Sequence, residues 1–463
     1  MLHIFRQPRQ FYRELLHLAL PIALQNLINY SLALADTMML GAVGQNEIDN
    51  IVASYTYSDE VFPQMEFLNS NRMVFGFQSG ASVLISQYYG KGDHKTVSRV
   101  MGISFFAAFT LVTAFSLFAF FFPQVLVGIF TNDPVAAELG IRYMRIVAWA
   151  YPINIFTQVY VGAQRSMGNA KLGLYIYSSA MVINTFLNYV LIFGKFGAPK
   201  LGMEGAAIAT VTARCVELLF TLIYCARCRH FRLDLSCAMR PGKTLTRDFV
   251  HYATPVVVNE TLWGLGTSLL PAIYGRMGTD VLAAVTISRN VENIANVFAF
   301  GVAGAAAVLI GRELGAGKTE GVYSMGKTLL AVALCSGFAA CALLLIASQV
   351  VTPFFNIPDS TKDIAAAIIA FYALRAIPMQ FNTTCVVGVL RGGGDTRAAM
   401  YIDIGPLWVW CLPATALLAL VFHLPIILVL LPCLVEDAVK MIWGLLRFRS
   451  RTWVRDITRS TAA

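Results

Sequence analysis

Apolar residues run in long blocks along this chain, and polar residues collect in short intervals between them. Val100–Phe122, Ala206–Ala226 and Leu329–Val351 are three such blocks. A helix needs about 20 mostly apolar residues to cross the hydrocarbon core of a bilayer. Lipid offers no partner to an open backbone, so each block predicts a transmembrane helix. About twelve spans are expected by that length criterion, near residues 15–40, 61–87, 97–122, 136–163, 172–194, 204–226, 248–274, 281–310, 323–352, 364–390, 398–420 and 425–446. The longest polar connection, 227–247, separates an N-terminal half (1–226) from a C-terminal half (248–446), and a basic tail (447–463) follows.

The two halves read alike. "ASVLISQYYGKGD" starts at Ala81 and "AAVLIGRELGAGK" at Ala306; "GAQRSMGNAK" starts at Gly162 and "GVLRGGGDTR" at Gly388. Pro152 and Pro378 are separated by the same 226 residues as that second pair. Six spans per half is an even number, so the second half enters from the same side as the first. The expected fold is therefore an all-α integral membrane protein with two pseudo-symmetric six-helix lobes in parallel repeat, an architecture used by transporters. Pro21, Pro152, Pro255, Pro271 and Pro378 fall inside spans and predict kinks that neighbouring helices tolerate. The repeat fails between Gly44 and Ala81, where the first half is longer and carries Asp49, Asp59, Glu60, Glu66 and Arg72. Residues 45–72 read either as a charged loop leading into a cavity-facing helix or as a disabling local departure.

Composition agrees with this class: 57% of residues are hydrophobic and 13% charged, too apolar for the surface of a soluble protein. The net charge of +9 is explained by where it sits. Basic residues crowd the ends and alternate connections (Arg6, Arg9, Arg13; Lys91, Lys95, Arg99; Arg165, Lys171; six in the central loop; Arg312, Lys318; Arg391, Arg397; the tail), whereas the intervening loops carry few. By the positive-inside rule both termini are expected in the cytoplasm, with the protein multi-pass in the inner (plasma) membrane. The partner of the basic loops is then membrane lipid, and no nucleic-acid partner is expected. The first apolar run continues into a full span and reads as a retained helix, not a signal peptide. Cys225-x-x-Cys228 with His230 resembles half a zinc site without a second ligand pair, so no metal centre is expected. No GxxxxGK[ST] phosphate loop is present, which argues against ATP drive.

Several stretches together resemble one family. They are "LALADTMMLGAVG" around Asp36, "SGASVLISQYYGKGD", "INTFLNYVLIFGKFGAPKLGMEGAAIATVTARCVEL", "RGGGDT" and "RFRSRTWVRDIT". Their content and order are similar to the multidrug and toxic compound extrusion (MATE) transporters over nearly the whole chain. The resemblance implies two six-helix lobes around a central cavity, acting as a single chain that exports small organic cations or amphipathic drugs against Na⁺ or H⁺, with no other cofactor and no enzymatic step. Residues 45–72 depart from the family pattern, which is shorter and more apolar there.

Within this frame, Asp36 is the sharpest candidate. A carboxylate deep in an apolar span is costly and marks a functional site by default. Asn184 and Asn188 share one face of span 5, and Thr210 and Asn154 add oxygen donors of the type a hard cation takes. The resemblance implies a coupling-ion network at these positions. In the second half, Glu260 in "NETLW" matches an acidic position of some family members, one turn before Trp263. Those members also carry a carboxylate in span 10, where this chain has Gln380, Asn382, Thr383 and Thr384. Arg289/Glu292, Arg214/Glu217 and Glu436/Lys440 fit intrahelical pairing, with Arg289 and Glu292 also candidate cavity residues. Trp263, Tyr30 and Met38 offer an adaptable surface for flat cations. Two other functions fit a polar-lined apolar bundle: a flippase for a lipid or lipid-linked sugar, and a membrane scaffold that transports nothing.

Overall fold

A computed structural model describes residues 7–44, 71–128, 134–228, 231–350 and 359–458, with backbone alone at 32–44, 71–73, 135–136, 279 and 359–360. Among these residues there are helices and no strand. Besides two short connecting helices, Pro123–Val127 and Leu235–Ala238, they form twelve rods: α1 (Arg9–Gly44), α2 (Asn71–Gly90), α3 (His94–Phe121), α4 (Pro134–Val147, then Ala150–Ser166), α5 (Lys171–Phe193), α6 (Gly202–Arg227), α7 (Lys243–Gly275), α8 (Thr279–Ala295, then Val297–Gly315), α9 (Thr319–Val350), α10 (Asp359–Thr383, then a wider turn Thr384–Leu390), α11 (Thr396–Pro406, Leu407–Cys411, Leu412–Leu420) and α12 (Ile426–Arg449). Eight of the described helices are long and apolar enough by themselves to cross a membrane. α4 falls short of that measure because it is broken into pieces of 14 and 17 residues, and α12 because Glu436, Asp437 and Lys440 interrupt it.

Two details differ from the sequence reading. α7 starts at Lys243, inside the connection drawn as 227–247, because its first turn is polar and invisible to hydropathy. Span 2 is helical from Asn71 onward, and the polar segment 45–70 lies outside the described residues. The break in α4 has a local cause. Pro152 has no N–H for the carbonyl four residues back, and that carbonyl, of Ala148, accepts from the Ser116 hydroxyl of α3 at 2.6 Å.

The lobes meet as the repeat demands. α1 packs on α8, its mate α7 packs on α2, and α2 crosses α8 at the centre. Small residues permit this close approach. Gly90 and Gly315 are repeat mates: a side-chain carbon at Gly90 would overlap the Arg312 backbone, and one at Gly315 the Gln87 backbone. Gly80 against Ala253 and Gly301 against Ala19 extend the contact. All of these lie in the half of the bundle toward the basic loops.

The tail closes the same end. Trp453 is fully buried, donates Nε1–H to the Phe448 carbonyl at 3.0 Å and stacks on the Phe448 ring, within a core that α1 shares with helices of the second lobe. Four residues later, Ile457 enters a second core, formed by α2, α3, α4 and α5 of the first lobe with Phe249 and Ala253 of α7. Gln87 of α2 joins the two: its amide donates to the carbonyls of Gly392 and Arg455 at 3.3 and 3.2 Å and accepts from the Ile457 N–H at 2.9 Å.

Candidate functional site

The second lobe holds a continuous set of buried charges. Glu260 of α7 accepts from Arg391, at the end of α10, at 2.6 Å. The second terminal nitrogen of Arg391 lies 3.9 Å from Asp403 of α11. Asp403 also accepts from Asn259 of α7 at 2.9 Å and from Lys440 of α12 at 3.0 Å. Lys440 bonds Glu436 one turn earlier at 2.6 Å. A neighbouring branch joins Asp437 of α12 to Arg375 of α10 at 2.8 Å, and Arg375 to Glu292 of α8 at 3.8 Å. Asn382 of α10 donates to the Asp437 carbonyl at 2.8 Å.

Five helices thus contribute to a set in which five carboxylates meet three cations. Counting Arg289, three positions before Glu292 on α8, the carboxylates still outnumber the cations. Charge removed from water is costly unless neutralised. The surplus can be relieved by a proton on a carboxyl group or by a bound cation, which is the chemistry that ion coupling requires.

Sequence reasoning found Glu260, Glu292 and the Glu436/Lys440 pair but missed Arg375, Asp403, Asp437 and the inward role of Arg391. The partner of Glu292 is also corrected. Among the described residues no ion pair joins it to Arg289; Arg375, on another helix, takes that place. Spacing rules detect partners within one helix and are blind to partners across helices. The available signal was the presence of single charges deep in spans 10, 11 and 12, each needing an opposite charge elsewhere. Asp403 of α11 and Glu260 of α7 flank the same guanidinium, that of Arg391. Trp263 packs near Leu407, Cys411, Leu412 and Cys433 within the second lobe.

In the first lobe, α1 packs on α5, α5 on α6, and α4 on α6. Asn154, Asn184 and Asn188 are all buried, and Asn188 donates to Asn184 at 3.0 Å. Thr210 is half-buried and donates to the Ala206 carbonyl of its own helix at 3.0 Å. Asp36 and Met38 lie on the α1 backbone, their side chains outside the described residues; Tyr30 is half-buried. Arg214 and Glu217 pair as expected, at 2.6 Å. His230, the third member of the Cys225/Cys228 cluster, lies outside the described residues.

The chain matches the family model MatE over residues 21–190 and 255–410, one match in each half. It is 24% identical over 445 residues to the probable multidrug resistance protein NorM of Thermotoga maritima, covering 95% of this chain and 93% of that protein. It is 24% identical over 415 residues to the multidrug resistance protein MdtK of Pectobacterium atrosepticum, covering 88% of each. Its fold is similar to the crystal structure of MATE in complex with MaL6, with a TM-score of 0.82 at 18% identity, covering 95% of this chain and 96% of that one.

Proposed function

The chain belongs to the MatE family of multi-pass membrane transporters, and we propose that it is a secondary antiporter exporting organic cations or amphipathic drugs against Na⁺ or H⁺. The observation that carries this reading is the surplus of buried carboxylates in the second lobe, set beside the polar helix faces of the first. Buried charge of that sign suits a cationic driving ion and a cationic cargo. The multidrug resistance proteins among its relatives support the same class of cargo.

On this account Asp36, with Asn154, Asn184, Asn188 and Thr210, exchanges the coupling ion in the first lobe. Glu260, Trp263, Arg289, Glu292, Tyr30 and Met38 contribute to cargo recognition. The protein acts as a single chain in the inner membrane with both termini and the basic loops in the cytoplasm. Contacts between the lobes at the basic end then close the cytoplasmic side. The ion must favour one arrangement of the lobes and the drug the other, because a ligand shifts an equilibrium only by its differential affinity for the two states.

Asp36→Asn is expected to abolish gradient-driven ethidium efflux from proteoliposomes while leaving yield and unfolding midpoint near those of the parent. Efflux at the parental rate in that variant would remove Asp36 from the mechanism.

A further inference from the structure

A small cavity of about 70 Å³ lies between the lobes, bounded by α2, α4, α8 and α10. Its polar lining is rich in donors: Arg165, Arg391, Ser79, Ser82, Ser86 and Ser166 face it, and no carboxylate is among its lining residues. The two arginines are repeat mates, Arg165 in "GAQRSMG" and Arg391 in "GVLRGGG".

The repeat also shows what one of them lacks. Arg391 is held by Glu260 at 2.6 Å. At the spacing that relates Pro21 to Pro255, Gln25 corresponds to Asn259 and Asn26 to Glu260. The first lobe therefore has an amide where the second has its carboxylate. Arg165 accordingly donates to Gln25 Oε1, at 3.1 Å, and forms no ion pair among the described residues. Across the cavity, Nη2 of Arg391 is buried and, although it lies 3.9 Å from Asp403, makes no hydrogen bond. A guanidinium within a membrane bundle that lacks an anion, beside a second one with an unused N–H, is unfavourable unless something completes it.

We propose that this cavity binds a small monovalent anion, a halide or a carboxylate group, held between Arg165 of the first lobe and Arg391 of the second. The size fits: the volume has room for several waters, hence for chloride or a carboxylate, and is too small for a bulky organic anion. The hydroxyls fit as well. Ser82, Ser86 and Ser166 donate to carbonyls of their own helices at 2.6, 3.3 and 2.9 Å, and each can turn its proton to an anion in the cavity. Because the anion touches both lobes at the end where they are closed, it stabilises that closed arrangement. The anion comes either from free salt or from a carboxylate on the cargo. The inference stands on the cavity alone and does not depend on the antiport reading.

The test uses the purified full-length protein in lipid nanodiscs, with unfolding midpoints measured in potassium chloride, acetate and gluconate at equal ionic strength. Chloride and acetate are expected to raise the midpoint above gluconate by about 2 °C. Arg165→Gln removes that difference and Arg165→Lys retains part of it. Should Arg165→Gln fail to fold, Asn26→Glu supplies the missing internal carboxylate and is expected to remove the anion dependence. A response to chloride assigns the site to free anions, and a response to acetate alone assigns it to a carboxylate-bearing cargo. Equal midpoints in all three salts for the parent protein, or an undiminished salt difference in both Arg165→Gln and Asn26→Glu, overturn the proposal.

Discussion

Lys440→Met is expected to destabilise the second lobe by about 3–5 kcal/mol, the usual cost of removing one partner from a buried ion pair. Lys440 is 5% exposed, and its ammonium group lies 3.0 Å from Asp403 and 2.6 Å from Glu436. Methionine keeps the length and apolar character of the stem but leaves two carboxylates facing each other in a medium that screens them weakly. Asp403 also helps to balance Arg391, so the disturbance reaches α7 and α10. Unfolding followed by tryptophan fluorescence in detergent measures the loss. Pairing Lys440→Met with Glu436→Met should recover part of it, since one unpaired carboxylate is then gone; residues in one network are not additive. A single variant with the parental midpoint would mean that Lys440 does not hold the network together.

Trp453→Ala should cost about 3–5 kcal/mol, as expected for emptying a buried indole site. Nothing in the hydropathy of the tail announces this, because Trp453 stands among five arginines between 447 and 459. Its ring stacks on Phe448 with centroids 5.4 Å apart. Phe448 stacks in turn on Tyr323 of α9 at 5.0 Å, and the Arg451 guanidinium covers that tyrosine at 4.3 Å. Loss of the indole should also release the segment that carries Ile457 into the first lobe. Limited proteolysis is therefore expected to cut the variant after Arg451 or Arg455 well before the parent. An unchanged midpoint together with unchanged cleavage would show that the tail adds no stability where it docks.

How much of this was legible beforehand follows from the range of the forces involved. The spans and the duplication were readable because hydropathy and repeat spacing are properties of neighbouring residues. The pairing of Gly90 with Gly315 is implicit in the repeat but cannot be seen without knowing that α2 crosses α8. The Arg391–Asp403–Lys440 set was not legible, since its members come from three helices and no period along the chain connects them. In the sequence Arg391 looks like one more basic loop residue, and the structure turns it inward. The docking of Trp453 and Ile457 was hidden by the charges around them. Asp36 was legible because a single carboxylate inside an apolar span stands out in the hydropathy of its neighbours.

The most direct measurement is ethidium efflux from proteoliposomes holding the purified protein, with an inward Na⁺ gradient and an inward proton gradient imposed separately. The account predicts that one of the two drives ethidium out against its own gradient and that collapsing that ion gradient stops the movement. Ethidium that moves only down its own gradient, at a rate neither ion gradient changes, would contradict secondary antiport.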